Sequence, residues 1–468
     1  MTQFGKNLQI TETPIPGLLL AALPVHGDSR GWFKENWQRK KMTALGLPDF
    51  GPVQNNVSFN DAVGTTRGIH AEPWDKWISV AAGRIFGAWV DLREGDTFGT
   101  VFTCEIDPST AIFVPRGVGN AYQTLEPGTV YTYLVNDHWS PDAEYSFLNL
   151  ADETANIAWP LPLADAEISD KDKNHPRLPQ VTPIPPKKIL VTGANGQLGH
   201  ALRNRLGDAD HIEYTTRDTL DLTDDLADAR RWRDYEVIIN AAAYTAVDTA
   251  ETSEGRASAW QANAAAVASL ARIATEHGIT IVHISSDYVF DGTKTAPYTE
   301  HDPLSPLSIY GQTKAAGDIA AATTPRHYIL RTSWVIGEGN NFVRSMASLA
   351  ERGIDPSVVN DQTGRLTFTD DIAVAVEHLL DTRALHGTYN VTGSGPTTSW
   401  ADIARSVFRF TGNDPARVHD VSTAEYFTSA AGPVAPRPGN SVLDLSKIMS
   451  TGYKPRDSDA ALERYLSR

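Results

Sequence analysis

The spacing of apolar residues divides the chain into two parts near residue 186. In the first part, short apolar and aromatic runs alternate with Gly, Pro and Asp turns, and no long helical pattern appears. The predicted strands include Trp77–Val80, Arg84–Leu92, Ala111–Val114 and Val130–Val135. Many short strands without long helices predict an all-β sandwich or barrel, and we expect a cupin-like jelly roll.

In the second part, apolar strands alternate with helical runs. The predicted strands are Lys188–Thr192, Ile212–Thr216, Val237–Asn240, Thr280–Ser285 and Tyr328–Thr332. The predicted helices are Trp260–His277 and Tyr310–Ala322. This alternation is typical of an α/β Rossmann-type doubly wound parallel sheet. We expect a smaller substrate-binding subdomain beside that sheet.

A proline-rich segment separates the two patterns. Residues 174–186 carry five prolines in thirteen positions and lack helical or strand periodicity. Such a segment predicts a semi-rigid, extended linker. We therefore predict one domain over residues 1–175, a linker over 176–186 and a second domain over 187–468. A chain of 468 residues is long enough for two or three separate cores.

Composition and charge exclude several classes of protein. The chain is 41% hydrophobic with a net charge of −16, and residues 1–186 alone carry 14 basic and 22 acidic side chains. Neither half has the basic surplus of a nucleic-acid-binding protein. Cys104 is the only cysteine, which excludes an intramolecular disulfide and a cysteine zinc cluster. The N-terminus lacks the features of a signal peptide, and the apolar run Leu18–Leu23 is too short to span a bilayer, so we expect a cytoplasmic protein without a membrane partner.

Three glycines follow the first strand of the second part. Gly193, Gly196 and Gly199 permit a tight turn and a close backbone approach, and a helix N-terminus there offers N–H donors to a pyrophosphate. The predicted cofactor contacts of this loop are Gly193, Asn195, Gly196, Gln197, Leu198 and Gly199. Arg217 after the second strand favours the 2′-phosphate of NADPH, whereas the neighbouring Asp218 leaves NADH open.

Three further residues of the second part form a candidate catalytic set. Tyr310 and Lys314 stand four residues apart on one helix face. We expect the lysine to lower the pKa of the phenol and to hold the cofactor ribose. Ser286 lies at the carboxyl end of a predicted parallel strand, where sheets of this kind place their sites.

The first part offers residues suited to proton transfer at carbon. A histidine base needs a carboxylate to orient its ring, cations to hold an enolate and an acid on the opposite face. His70 with Asp172, then Arg67 with Lys76, then Tyr133 supply these groups. The spacing alone also fits a half-buried core histidine.

Residues 188–468 resemble the dTDP-4-dehydrorhamnose reductase family of extended short-chain dehydrogenases/reductases. The resemblance rests on residues 193–199, 240–248, 285–292, 331–334, 360–364 and 437–441. Ser286 stands where that family usually has threonine, and its hydroxyl keeps the implied role. The family implies further cofactor contacts at Asp221, Leu222, Ala241, Ala242 and Ala243. It implies substrate contacts at Trp334, Asn341 and Arg437.

Residues 8–175 resemble the dTDP-4-dehydrorhamnose 3,5-epimerase family. The matching segments include residues 28–35, 54–58, 67–70, 114–117 and 169–172. The family implies a base at His70, its partner at Asp172 and an acid at Tyr133. Implied nucleotide-sugar contacts are Arg30, Phe33, Glu35, Gln54, Asn56, Arg67, Lys76, Asn120, Trp139, Glu144 and Lys171. Asn120 replaces a histidine usual in the family, which leaves open epimerisation at one carbon rather than two. His26, His70 and His138 do not form a His-x-His pattern, so we predict no metal.

Together the resemblances imply a bifunctional enzyme and a homodimer formed through the jelly-roll domain. The first domain would epimerise C3 and C5 of dTDP-4-dehydro-6-deoxy-D-glucose. The second would reduce C4 with NADPH to give dTDP-L-rhamnose. Alternatives are epimerisation of one carbon, a different 6-deoxyhexose product, a reductase whose first domain only binds nucleotide sugar or dimerises, and a non-catalytic second domain.

Overall fold

The computed structural model describes residues 4–138, 145–428 and 432–467. The chain divides into two compact units, Met1–Pro186 and Lys187–Arg468. Trp139 and Glu144, both predicted to contact substrate, lie outside the described residues. No helix within the described ranges is long and apolar enough to cross a membrane.

The first unit is built from two antiparallel sheets. Its strands are β1 (Gln9–Glu12), β2 (Leu19–Ala22), β3 (Val25–Asp28), β4 (Gly31–Lys34), β5 (Gln54–Asn60), β6 (Thr66–Ala71), β7 (Lys76–Ala82), β8 (Ile85–Asp91), β9 (Val101–Ile106), β10 (Thr110–Val114), β11 (Val118–Thr124), β12 (Thr129–Val135) and β13 (Ser146–Phe147). Its helices are α1 (Arg39–Thr43) and α2 (Asp170–Lys173). One sheet has the order β1-β2-β10-β7-β12-β5 and the other β13-β6-β11-β8-β9, while β3 and β4 form a separate hairpin.

The core of this unit lies between the two sheets. Ile78 and Ile112 from the first sheet and Ile85 and Trp89 from the second belong to one buried cluster. The four strands predicted from the sequence are confirmed as β7, β8, β10 and β12. Because inward-facing residues of both sheets fill the same space, the polar residues on β6, β11 and β12 can line a cavity beside the core.

The proline-rich segment, predicted as a semi-rigid, extended linker, packs onto the first unit. Leu178 and Val181 are buried in a cluster of the first unit, and Ile184 packs against that cluster. Ile184 also bridges to Arg93, and its N–H donates to the Leu92 carbonyl. The prolines remove backbone donors but leave apolar side chains that the sheet can bury, so this segment is part of the first unit.

The second unit has twelve strands and ten helices among its described residues. The strands are β14 (Lys188–Thr192), β15 (Ile212–Thr215), β16 (Tyr235–Asn240), β17 (Thr280–Ser286), β18 (His327–Thr332), β19 (Val335–Ile336), β20 (Ser357–Val359), β21 (Thr363–Gly364), β22 (Thr367–Phe368), β23 (Gly387–Asn390), β24 (Thr398–Ser399) and β25 (His419–Val421). The helices are α3 (Gln197–Leu206), α4 (Ser253–Trp260), α5 (Ala266–His277), α6 (Ile309–Ala322), α7 (Phe342–Glu351), α8 (Thr369–Asp381), α9 (Trp400–Phe410), α10 (Thr423–Phe427), α11 (Ser446–Ser450) and α12 (Ser458–Leu466).

A six-stranded parallel sheet organises this unit and confirms the predicted strand and helix alternation. Its order is β15-β14-β16-β17-β18-β23. The order reverses between β14 and β16, and the carboxyl ends of strands at such a point frame a ligand crevice. A second buried cluster, built from α7, α9 and α12, forms a smaller region beside the sheet.

One predicted helix is divided in the structure. The run Trp260–His277 contains a π-helical turn at Gln261–Ala265, followed by α5. The buried Asn263 in that turn accepts from Tyr244 N at 2.8 Å and donates to Thr313 Oγ1 at 3.0 Å. Single π turns commonly occur at functional sites. This one ties the loop after β16 to helix α6.

Candidate active sites

His70 and Asp172 form the centre of a group of polar residues in the first unit. His70 lies on β6, and Asp172 lies on the short helix α2, which Ser169 caps by accepting from Asp172 N. His70 Nε2 is 2.9 Å from Asp172 Oδ1, while Asp172 Oδ2 accepts from Gly68 N at 3.2 Å. The structure thus joins two predicted residues that are far apart in sequence.

The carboxylate fixes the state of the imidazole. Burial raises the pKa of Asp172, but hydrogen bonds from His70 and Gly68 outweigh it, and the net pKa lies below the usual value. An ionised carboxylate only accepts, so His70 Nε2 carries the proton and Nδ1 carries the lone pair. The ring is therefore oriented as a base at Nδ1.

Tyrosines and amides connect this pair to the first sheet. Asn120 stands opposite His70 in the β6–β11 register, and its Nδ2 donates to Tyr131 Oη at 3.2 Å. The Tyr131 ring lies 5.7 Å from the Tyr133 ring. Burial and Glu72 raise the pKa of Tyr133, which keeps its hydroxyl protonated and able to donate. Asn56 stands opposite Tyr133 in the β5–β12 register.

The predicted cations have different environments. Lys76 is buried, pairs with Glu72 and lies 5.5 Å from the centroid of Tyr133. Arg67 is exposed on β6 and acts electrostatically on Tyr133. Glu72 was missed in the sequence, where an acidic residue two positions after His70 gave no distinguishing signal. Its negative charge shows that Lys76 is not an uncompensated cation.

Several predicted sugar contacts lie on the β3–β4 hairpin or beside it. Arg30 is 87% exposed in its side chain and pairs with Asp28 at 2.5 Å. Phe33 is 67% exposed, and Glu35 pairs with Lys41 at 2.5 Å. Within the described residues, the ion pairs of Arg30 and Glu35 are local and do not reach the His70–Asp172 pair. Gln54 donates to Asn56 Oδ1 at 2.9 Å, and Lys171 Nζ lies 4.9 Å from the Phe147 ring.

In the second unit, the glycine loop connects β14 to α3 as predicted. Gly193 has φ +69°, and a Cβ there would stand 2.7 Å from Ala242 N. A Cβ at Gly199 would stand 2.4 Å from Gly193 O. Asn195 and Gly196 are exposed at the tip, and Gln197 and Leu198 are half-buried in the first turn of α3. Gly193 thus allows the loop to lie against residues 241–242, and the tight turn directs Ala194 N to Thr215 O and Gly196 N to Gly193 O, both at 3.0 Å.

The other predicted cofactor residues surround that loop. Ala241, Ala242 and Ala243 follow β16 directly. Arg217 is 81% exposed beyond β15, and its Nε lies 3.1 Å from Asp221 Oδ2. Asp221 also accepts from Thr223 N, and these bonds hold the pKa of Asp221 below its usual value; Leu222 beside it is half-buried. The guanidinium stands at the edge of the crevice, free of burial.

Ser286, Tyr310 and Lys314 converge at the end of β17. Ser286 Oγ donates to Asp287 Oδ1 at 2.9 Å. The Ser286 hydroxyl also acts on Tyr310, where it lowers the pKa of the phenol. Lys314 Nζ donates to Ile284 O at 2.6 Å, and burial lowers the pKa of Lys314 to about 8. Burial and Asp287 raise the pKa of Tyr310, which corrects the prediction that Lys314 lowers it. Burial disfavours the charged forms of both groups, the phenolate and the ammonium, and this effect on the two pKa values outweighs the attraction between those charges.

Asp287, missed in the sequence, gives a testable pH dependence. Burial raises its pKa from 3.8 to about 6, although Ser441 and Ser286 donate to it. Between pH 4 and 6 the unfolded chain loses this proton before the folded one, so the group's stabilising contribution falls as pH rises. From pH 4 to pH 7, the free energy of unfolding of the second unit in urea should therefore fall by about 2 kcal/mol less in Asp287→Asn than in the wild type. Parallel curves for the two proteins would contradict this.

The predicted substrate residues of the second unit fall into two groups. Trp334 has φ +46° and stacks on Trp400 with ring centroids 4.0 Å apart, so it forms a fixed aromatic wall. Arg437 pairs with Asp248 at 2.8 Å and interacts with Tyr288. Asn341 caps α7 and donates to Tyr465 Oη at 2.8 Å, and its contact with substrate stays a prediction. Trp400 and Tyr288 were missed because neither has a distinguishing spacing.

Comparison with known proteins supports a different family for each half of the chain. Residues 187–468 match the family described as RmlD substrate binding domain, and residues 12–180 match dTDP-4-dehydrorhamnose 3,5-epimerase. A protein called RmlC homolog from Streptococcus pyogenes is 52% identical over 196 residues, which are 40% of this chain and 98% of that protein. A dTDP-4-dehydrorhamnose reductase from Aggregatibacter actinomycetemcomitans is 40% identical over 297 residues, covering 59% of this chain and 97% of that protein.

A solved structure extends the comparison to the fold. The dTDP-4-dehydrorhamnose reductase from Bacillus anthracis, in complex with NADP, has a TM-score of 0.54 and 33% identity and covers 60% of this chain and 99% of that one. Fold and site therefore define a two-unit enzyme with an isomerase half and an oxidoreductase half. The chain belongs to the dTDP-4-dehydrorhamnose 3,5-epimerase family in residues 12–180 and to the dTDP-4-dehydrorhamnose reductase family in residues 187–468.

Proposed function

We propose that the chain catalyses two consecutive steps that convert dTDP-4-dehydro-6-deoxy-D-glucose to dTDP-L-rhamnose. The observation that carries this proposal is the presence of both residue sets in one chain, the His70–Asp172 pair at 2.9 Å and the Ser286–Tyr310–Lys314 group. Each set is complete in its own unit. We interpret the two-sheet arrangement of the first unit as a jelly roll.

In the first step His70 acts as the base. The C4 ketone acidifies the protons on C3 and C5, and His70 Nδ1 removes one of them while Asp172 stabilises the imidazolium. Arg67 and the Lys76 end of the cavity face the negative charge that develops on the C4 oxygen. Tyr133 then donates its hydroxyl proton to the opposite face of the same carbon, and exchange with solvent restores both groups.

In the second step the residues of the β17 end position the C4 ketone. NADPH, when bound, supplies the hydride. The glycine loop fits this cofactor because Gly193 and Gly199, where a Cβ would clash with Ala242 N and Gly193 O, keep it a tight turn that leads into the N-terminus of α3. Lys314 would hold the ribose, and Arg217 would meet a 2′-phosphate. Ser286 would donate to the ketone oxygen, and Tyr310 would transfer its proton to that oxygen.

We propose a homodimer formed through the first unit. Four exposed apolar residues define the surface that we call the dimer face. They are Trp32 (40% exposed) and Phe33 (67%) on β4, and Val57 (65%) and Phe59 (61%) on β5. Strand β5 is an edge of its sheet and can pair with another copy. The hairpin residues Arg30 and Phe33 would then reach a neighbouring copy's sugar rather than their own. Sedimentation of the wild type and of Phe59→Lys tests this arrangement.

The experiment that tests both activities uses heavy water. The chain is incubated with dTDP-4-dehydro-6-deoxy-D-glucose and NADPH, and the mass of the nucleotide-sugar product is measured. Two carbon-bound deuteriums in a reduced product are expected. One deuterium would indicate epimerisation at a single carbon, and none would make the first unit a binding module. Absence of reduction would contradict the proposal for the second unit.

Gly193→Ala should weaken use of NADPH selectively. The new Cβ would approach Ala242 N to 2.7 Å in a backbone conformation with φ +69°, so the phosphate loop must shift. We expect the KM for NADPH to rise at least about tenfold, the equivalent of strain of 1–3 kcal/mol. Gly207→Ala is the matched control, because φ is +78° there but the space around it is open. An equal rise in both variants would contradict the role of the crowding at Ala242.

A further inference from the structure

A second histidine lies beside the catalytic pair of the first unit. His175 follows helix α2, and its Nε2 lies 3.7 Å from the same Asp172 Oδ1 that His70 Nε2 contacts at 2.9 Å. One ligand atom from each of the three residues lies within 4.8 Å of the others. Asp172 Oδ2 is bound to Gly68 N, so Oδ1 alone is shared by the two rings.

His175 has no other evident use. Its side chain is only 5% exposed, and neither ring nitrogen makes a hydrogen bond of normal geometry with the described residues. Its ring stacks on Phe147 with centroids 4.7 Å apart and stands 5.4 Å from the His70 ring. Apart from a weak hydrogen bond with the Leu148 backbone, the buried imidazole has no well-formed hydrogen-bond partner among the described residues, and such burial is costly. The proposed proton transfers do not need it.

We infer that His70, Asp172 and His175 form a binding site for a divalent transition metal such as Zn²⁺. Two imidazoles and one carboxylate are ligands that Zn²⁺ accepts, at about 2.0–2.2 Å each. Tetrahedral ligands at that length stand roughly 3.4 Å apart. The separations of 2.9 and 3.7 Å at Asp172 Oδ1 bracket this value. The His70 side chain is 34% exposed, which leaves an entry path and an open position for water.

The metal would switch off the base rather than assist it. A nitrogen binds a metal only through its lone pair, so binding at His70 Nε2 moves the proton of that nitrogen to Nδ1. The ring stays neutral overall, but Nδ1 now carries a hydrogen and cannot accept one from C3 or C5. This site is inhibitory for the epimerase half. Lys171 near Phe147 opposes the cation and moderates its affinity.

The inference rests on the proposed function for its effect, but the binding site itself can be measured without activity. Calorimetric titration of the full chain with zinc chloride should show one strong site in the wild type. His175→Gln should weaken it at least about tenfold, as expected when a ligand is lost. His175→Cys, which keeps a zinc ligand, should retain the site and also controls for folding. His419→Gln removes an exposed histidine of the second unit and should change nothing.

Activity measurements then distinguish the metal site from the proposed function. Zinc should suppress deuterium uptake at C3 and C5 at least about tenfold in the wild type and in His175→Cys, but not in His175→Gln. Reduction of the epimerised ketone in the second unit should be unaffected. Equal zinc binding in wild type and His175→Gln would overturn the site, as would equal inhibition of both units. Absence of epimerisation in the metal-free wild type would instead contradict the proposed function, while the titration would still test the site.

Discussion

His70→Asn is expected to slow deuterium uptake at C3 and C5 by about 10²–10⁴-fold, the usual contribution of a general base. The reason is geometric: Asp172 Oδ1 at 2.9 Å fixes the Nε2 proton of His70 and leaves Nδ1 as the free base. Asparagine keeps a hydrogen-bond donor to Asp172 but has no nitrogen lone pair to accept a proton. Mass spectrometry of the unreduced ketone in heavy water measures the exchange.

Two controls make that result specific. His26→Asn changes an exposed histidine of the same unit and should leave exchange intact. Adding a separately purified 3,5-epimerase to His70→Asn should restore NADPH oxidation, because the second unit is unchanged. Full exchange in His70→Asn would show that another residue is the base.

The Asp172→Asn variant tests whether Asp172 is needed to orient the His70 ring, because the ring itself is retained. The amide at position 172 can donate to Nε2, which would leave the proton on Nδ1 and invert the tautomer. We therefore expect a loss comparable to that of His70→Asn although the histidine remains. A variant with near wild-type exchange would mean that the carboxylate does not select the tautomer.

Tyr310→Phe is expected to lower kcat for NADPH oxidation by about 10²–10⁴-fold while exchange at C3 and C5 continues. The phenol of Tyr310 lies partly buried on α6, and burial keeps its pKa above the usual value, so it holds its proton until the ketone oxygen takes it. Phenylalanine preserves the ring contact with Tyr288 at 5.5 Å but has no proton to give.

Stopped assays with the epimerised ketone and NADPH measure this loss directly. Tyr328→Phe is the matched control, since Tyr328 is buried in β18 and its hydroxyl donates to the Ala384 carbonyl. That variant should keep its turnover. An unchanged kcat in Tyr310→Phe would reject the phenol as the acid, whereas a raised KM with unchanged kcat would make it a binding residue.

Local sequence patterns predicted most of the strands and helices. Alternating apolar residues predicted β7, β8, β10 and β12, and the Gly-rich turn after β14 predicted the crevice, because strand and helix periodicities and glycine φ requirements are properties of short segments. The Tyr310–Lys314 spacing predicted their common face for the same reason. The division of the predicted helix at Gln261–Ala265 was not visible, since the π turn depends on Asn263 bonding to the distant Tyr244 and Thr313.

The sequence did not predict the electrostatic environment of Lys76 or the pKa of Tyr310. Lys76 was expected as a free cation, but folding places Glu72 against it. Lys314 was expected to lower the pKa of Tyr310, but burial of both groups reverses that direction. Desolvation depends on how completely a site is enclosed, and no local pattern reports it.

By itself the sequence determined the two-part organisation, the element types and the identity of most reactive groups, because these depend on residue type and short-range spacing. Only the tertiary structure decided which groups share a proton, which cations are compensated, and that residues 178–184 belong to the first unit. It also brought His175 to Asp172. Such outcomes depend on contacts between segments far apart in the chain and on the water excluded when they pack, which neither composition nor periodicity records.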